Sequence, residues 1–366
     1  MTILRLGTRR SRLATTQSTH VADALRGRGH QVELVPIVTE GDTSRASLSS
    51  LGGTGVFAAA LREALVAGEI DLAVHSLKDR PTAPHPELTV AAIPRREDPR
   101  DAVVARDGAT LGELGPTARV GTGSPRRVAQ LAALGWGIEC RDIRGNVDTR
   151  LQLVDDGELD AVVLAHAGLR RLGLAGRVTE VLDPIRMLPA PGQGALAVEC
   201  RTDRADVRSI VAELDDADTR ACVEAERAVL AVLEAGCSAP LGALGEIVED
   251  LTPDGETTLE LSLRAFVGSP DGAMELRRSV LGDPRDPYAT GRRLAELLLQ
   301  DGAADIMPLS PGAVARREPG EPPRSGSPVH TPSQTLADRR TSPPGTPHPR
   351  PSTHLSSHHL PLENTP

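Results

Sequence analysis

Twice in this chain a short apolar run meets a Gly-Thr turn crowded with arginine and serine, then passes into a helix. The first copy is residues 3–6, then Gly7-Thr8-Arg9-Arg10-Ser11-Arg12, then helical periodicity to about Arg26 with Gly27 and Gly29 behind it. The second is Arg119-Val120 running into Gly121-Thr122-Gly123-Ser124-Pro125, with Ser124 placed as N-cap and Pro125 at the first helical position. Strand, turn and helix repeated in this order imply a mostly parallel α/β sheet. Such sheets bind ligands beyond the carboxyl ends of their strands. A helix N-terminus attracts anions through its unpaired N–H groups and dipole. The same dipole disfavours Arg126 and Arg127 in the first turn unless something negative outweighs it. Arg141, Arg144 and Arg150 follow around Gly145-Asn146. The stretch reads as a site for a molecule with several carboxylates or phosphates, or as a basic, solvated helix start. These residues alone leave both readings open.

The rest of the chain sorts into further units. Residues 32–38 form the next strand, residues 41–55 a loop ending in Gly52-Gly53-Thr54-Gly55, and Phe57, Leu61 and Leu65 share a helical face closed by Gly68. Residues 70–75 read as a buried strand ending in Ser76-Leu77-Lys78-Asp79. The Pro- and charge-rich stretch 91–101 suits a hinge, and a second α/β unit runs from Ala102 to about Leu188. Residues 188–194 again resemble a linker, and 195–200 a strand. Two α/β units joined by two linkers imply a cleft between lobes. A helix is expected over 219–235, with Cys222 in its core face, Gly236 at C′ and Cys237 on the following loop. Three strand-like runs follow, with turns at Pro253-Asp254-Gly255 and Pro270-Asp271-Gly272, then a helix from Asp286-Pro287 to Gln300. The expected organisation is a discontinuous first domain (1–95 and 195–213), a second (100–188), a small α+β third (217–312), and a disordered Pro/Ser/His-rich tail (316–366).

Composition narrows the functions. A net charge of −9 excludes a general nucleic-acid binder, so any anion site is local. One Trp, one Tyr and two Phe leave no base-stacking surface and force an aliphatic core. Lys78 is the only lysine, a hint that position 78 needs an ammonium, set against simple codon bias. The four cysteines form no CxxC pair, which argues against a zinc site or a disulfide framework. His358-His359 in the tail reads as solvated rather than as a metal site. The N-terminus lacks an apolar leader, and no run approaches the roughly 18 apolar residues of a membrane span. The expectation is a cytoplasmic protein without metal.

Nine segments, in order, carry a resemblance: LGTRRSRLA (6–14), GGTGVF (52–57), DLAVHSLKD (71–79), REDPRD (96–101), GTGSPRR (121–127), IRGNVDTRL (143–151), LAHAGLRRLGL (164–174), LPAPGQGAL (188–196) and LEAGCSAPLG (233–242). Through them the chain, as far as about Leu309, resembles the porphobilinogen deaminase (hydroxymethylbilane synthase) family. The resemblance implies an α/β fold of three domains: two lobes like type II periplasmic binding proteins and a small α+β C-terminal domain with a three-stranded antiparallel sheet. It implies a transferase that joins four porphobilinogen molecules head to tail with loss of ammonia, then releases linear hydroxymethylbilane by hydrolysis. The chain grows on a dipyrromethane cofactor attached by thioether to a loop cysteine, which the match puts at Cys237.

The matched motifs also imply roles. Lys78, Asp79, Thr122, Ser124, Arg126, Arg127 and Arg150 would hold the cofactor; Arg9, Ser11, Gln17, Arg144 and Arg171 would hold substrate. Porphobilinogen carries two carboxylates, and guanidinium forks pair with carboxylates at any working pH. Asp79 is the candidate catalytic group, a carboxylate that stabilises positive charge on a pyrrole nitrogen and relays protons, kept ionised by Lys78 and Arg80. Without the resemblance it reads as a turn residue. Some positions depart from the family: Thr54 stands where lysine is frequent, Arg12 where Pro is common, Gly123 replaces a serine, and His166 replaces a small apolar residue and reads as packing. The resemblance further implies a monomer that hands its product to uroporphyrinogen-III synthase. The rival reading is a non-catalytic anion-binding protein of the periplasmic type.

Overall fold

Three sheets take up the strands of the computed structural model, in which residues 3–37, 56–235, 239–251 and 254–307 are described. Expectations for the Thr54 loop, Gly236, Cys237 and the 316–366 tail lie outside the described residues. The chain begins β1 (Ile3–Arg9), α1 (Arg12–Arg26), β2 (Gln31–Ile37), α2 (Val56–Val66), β3 (Leu72–Ser76) and β4 (Leu88–Ala92). It continues β5 (Asp101–Ala105), β6 (Arg119–Gly121), α3 (Pro125–Ala133), β7 (Glu139–Arg141), α4 (Val147–Asp155), β8 (Ala161–Ala165), α5 (His166–Arg171) and β9 (Glu180–Val181). Next come β10 (Leu196–Arg201), α6 (Ala205–Ala212), α7 (Ala217–Val232), β11 (Leu241–Leu251), β12 (Thr257–Gly268), β13 (Glu275–Gly282), α8 (Pro287–Gln300) and α9 (Ala303–Ile306).

The first sheet has the order β2-β1-β3-β10-β4 and the second β7-β6-β8-β5-β9. Each is parallel except for its fourth strand. β10 runs antiparallel to β3 and β4, and β5 antiparallel to β8 and β9. Sequence alternation predicts the parallel strands but not these two. Their direction follows from the connections: β5 is entered from the first sheet and β10 from the second. Their first residues therefore lie beside the last residues of parallel strands, Asp101 opposite Ala165 and Leu196 opposite Ser76.

Burial is aliphatic and follows the period of two. On the first sheet, Leu4, Leu6, Leu72 and Val74 pack with Val21, Ala22 and Leu25 of α1, while Ala73 packs with Leu61, Leu65 and Ile70. On the second, Ala102 and Val104 face Leu151 and Val154 of α4, and Val103 faces Leu131 of α3. Each such leucine, valine or isoleucine contributes about 1.5–3 kcal/mol when fully buried. The third sheet, β11-β12-β13, is antiparallel, with α7 and α8 on one face. Cys222 lies in that core, as its place on the α7 face implies.

α7 ends sooner than its sequence suggests. Leu233 is the C-cap and Glu234 takes the left-handed conformation at φ +48°. Ala235 N–H bonds back to the Leu230 carbonyl at 3.0 Å, closing a Schellman turn two residues before Gly236.

Candidate functional site

The residues singled out from sequence collect where strands end. Arg9 closes β1, Lys78 and Asp79 follow β3 on a three-residue 3-10 turn, Thr122 and Ser124 follow β6, Arg144 follows β7, and Arg171 ends the helix after β8. Because β5 and β10 run the other way, Asp101 and Gln193 arrive at the same edges from their N-terminal sides.

Ser124 is the N-cap of α3 and Pro125 its first residue, as expected, yet the Ser124 hydroxyl makes no capping bond. Its amide instead donates to the Thr122 hydroxyl at 3.2 Å, within a turn where Thr122 is buried. At Gly123 an added Cβ would sit 2.8 Å from the Ile143 carbonyl oxygen. The family serine therefore has no room in this loop arrangement.

Arg126 and Arg127 are buried rather than fanned into solvent. Arg126 pairs with Asp101 at 2.8 Å and donates to the Leu188 carbonyl at 2.6 Å. Arg127 pairs with the other Asp101 oxygen at 2.7 Å and donates to the Val163 carbonyl at 2.9 Å. The negative group that offsets the helix dipole is thus in part the chain's own Asp101. Burial alone would raise the Asp101 carboxyl; the two guanidiniums overcome this and hold it well below the usual carboxylate range. Gln193, fully buried, donates to Asp101 at 2.8 Å and accepts from the Lys78 ammonium at 3.2 Å. Burial, with like charge from Arg127 and Arg126, lowers Lys78 to about 8 against the pull of Asp79 and Asp101. Arg150 is shifted down by burial and by the fields of Arg127 and Arg144. One electrostatic cluster therefore joins Lys78, Arg126, Arg127, Arg150 and Arg144, with Asp79 exposed at its margin.

The remaining residues are placed less tightly. Ser11 caps α1, its hydroxyl accepting from Ala14 N–H at 3.4 Å, and Gln17 is buried on that helix. Arg171 is lowered by burial and donates to the Gly194 carbonyl at 2.6 Å. Arg144 pairs with Asp142 at 3.2 Å on the surface. Arg80 does not support Asp79: its guanidinium is buried against Glu199, which also pairs with Arg62. His166, expected to pack or line a cleft, bonds Asp98 through Nδ1 at 3.1 Å.

Asp101, Gln193 and Glu226 were not legible as site residues. Glu226, fully buried, binds Arg96 at 2.6 and 3.0 Å and accepts from the amides of Gly192 and Gly245. It ties both interlobe connections to the third sheet. A carboxylate on an otherwise apolar helix face was its one available signal.

Comparison with known proteins gives two matching family models. Porphobilinogen deaminase, dipyromethane cofactor binding domain, matches residues 4–209, and porphobilinogen deaminase, C-terminal domain, matches 220–300. A porphobilinogen deaminase of Nocardia farcinica is 56% identical over 334 residues, covering 91% of this chain and 94% of that protein. One of Mycobacterium avium is 58% identical over 305 residues, covering 83% of this chain and 96% of that protein. Among solved structures, the lipoprotein Tp32 from Treponema pallidum matches with a TM-score of 0.38 and 12% identity, covering 58% of this chain and 90% of that one, a likeness too loose to argue from.

Proposed function

The chain belongs to the porphobilinogen deaminase family, and from that premise we propose that it condenses four porphobilinogen molecules, with loss of ammonia at each step, and releases linear hydroxymethylbilane. The observation that carries this reading is the cation cluster at the strand ends, which exceeds what Asp101 and Asp142 neutralise.

The residues present fit dipyrromethane. Arg126 and Arg127 each keep a buried Nε–H without an acceptor, and the side chains of Lys78, Arg126, Arg127 and Arg150 present donors to a group whose carboxylates only accept. When bound through Cys237, dipyrromethane supplies the pyrrole carbon to which the first unit is joined. Lys78, Thr122, Ser124, Arg126, Arg127 and Arg150 hold its carboxylates. Arg9, Ser11, Gln17, Arg144 and Arg171 hold those of the incoming substrate. Asp79 accepts pyrrole N–H donors, stabilises positive charge developing there, and moves the proton released as a new bond forms. The domain division is that set out from sequence, with the third domain carrying Cys237. The enzyme works as a cytoplasmic monomer and passes its product to uroporphyrinogen-III synthase. An anion-binding protein without chemistry would need neither Asp79 beside the cations nor the third sheet.

Denatured intact mass should exceed the sequence mass by the dipyrromethane unit, and Cys237→Ser should remove the increment. Asp79→Asn should keep it while turnover falls by about a hundredfold or more. An active protein without the increment, or a fully active Asp79→Asn, overturns the respective role.

A further inference from the structure

The turn bearing Lys78 and Asp79 is three residues of 3-10 helix, Leu77–Asp79, closed by a single internal bond from Arg80 N–H to the Leu77 carbonyl at 3.2 Å. A single guanidinium serves three carbonyls around it. Arg227, half-buried on α7, donates from Nη1 to the Leu77 carbonyl at 3.1 Å and to the Arg80 carbonyl at 3.0 Å. Its Nη2 donates to the Pro81 carbonyl at 2.6 Å. The adjacent Glu226 fixes the same helix to Arg96, Gly192 and Gly245. α7 is thus anchored by one side chain and grips the turn with the next.

The turn has two further fastenings. Arg80 is buried against Glu199 at 3.1 Å, and Lys78 reaches Gln193 at 3.2 Å. These hold the residues on either side of Asp79, whose own side chain is exposed. A guanidinium presents its donors in a rigid fork, so the three carbonyls it binds fix the backbone course through 77–81. α7 ends at Val232, a few residues before Cys237.

We infer that Arg227 is a positioning residue: it holds the Asp79 turn in register with α7, so that the carboxylate keeps one placement beside the cation cluster. The inference rests on the role proposed above for Asp79. Arg227 acts through the turn and touches no reacting atom.

The test uses holoenzyme carrying Arg227→Ala. The dipyrromethane mass increment should persist and KM for porphobilinogen should stay within about threefold, while kcat falls about tenfold to a hundredfold, the scale of a misplacement near 1 Å. Amide exchange across 77–81 should accelerate in the apoprotein as well, with exchange along β11 unchanged. Adding Arg227→Ala to Asp79→Asn should slow turnover no further, because the turn then has no carboxylate to place. If the alanine variant does not accumulate, Arg227→Lys, which keeps the charge without the fork, carries the same comparisons. A kcat within threefold of wild type, a loss confined to KM, or losses that multiply with Asp79→Asn overturns the inference. Wild-type protein that consumes no porphobilinogen defeats the underlying reading instead, and the exchange across 77–81 still decides whether Arg227 holds the turn.

Discussion

A lone lysine among arginines differs from them in one respect: its proton leaves within reach of neutral pH. Burial, with the like charges of Arg127 and Arg126, brings Lys78 down to about 8, against about 10.4 in an unfolded chain. Below the folded value both states carry the charge and the folded apoprotein bears the penalty. Between about 8 and about 10 the folded state has lost the proton and the unfolded state has not, so folding stability rises with pH across that window. The Cys237→Ser protein, unable to tether the cofactor, should therefore gain melting temperature from about pH 8 to about pH 10 relative to the same protein with Lys78→Met. Parallel curves would show that Lys78 is not held in this way. A bound polyanion has the opposite effect: it raises the ammonium again and takes up a proton, so cofactor capture weakens as pH passes 8. Arginine at 78 would keep its charge throughout and lose this dependence.

At the scale of elements, two turns look alike in sequence and differ in the fold. Their glycines, Gly255 and Gly272, both lie in the left-handed region, at φ +82° and +70°. A Cβ on Gly255 would meet nothing within 4 Å, whereas one on Gly272 would lie 2.4 Å from Ala133 N and 2.5 Å from Ala132 C. Those are backbone atoms at the end of α3, the helix whose first turn carries Arg126 and Arg127. The β12–β13 hairpin therefore braces the cation cluster from behind, helped by Phe266 and Leu244 packed on Ala129 and Leu188. Gly255→Ala should cost about 1–2 kcal/mol, the left-handed penalty alone. Gly272→Ala should cost that and about 1–3 kcal/mol more from the forced contact, and lower the cofactor-loaded fraction by mass spectrometry. Equal effects of the two would remove the brace. The same pair marks what sequence can carry. Caps and turns are local, so the Ser124 cap, the helix start at Asp286-Pro287 and both hairpin turns are readable in the sequence. Contacts made across the fold are not: Asp101 meets Arg126 and Arg127 from a different strand, and Glu226 gathers groups from three segments. Arg80 is the same case: its adjacency to Asp79 in sequence says nothing of Glu199 behind it.

For the whole molecule, the two five-stranded sheets share one pattern, parallel except for the fourth strand, and side chains connect the halves that carry them. Arg12 is one of these. It pairs with Asp148 of α4 at 2.9 Å and donates to the Leu172 carbonyl at 3.1 Å. Its side chain is 57% exposed and that of Asp148 46%, so the ion pair contributes little to folding, about 0.2–1 kcal/mol. It bridges α1, packed on the first sheet, and α4, packed on the second, so its effect is expected on how the two halves come together on substrate. The substitution that isolates this is Arg12→Pro. Arg12 is the first residue of α1, with Ser11 as cap, and proline fits that helical position without loss of a hydrogen bond. The helix should survive, with melting temperature changed by no more than about 4 °C. The lobes should open more readily: KM for porphobilinogen should rise by up to about fivefold, the equivalent of the lost pair, and added salt, which screens the wild-type pair, should narrow the difference. A KM unchanged at low ionic strength would mean that closure is set by the two chain connections, through Arg96 and Glu226, and not by contacts across the mouth of the cleft.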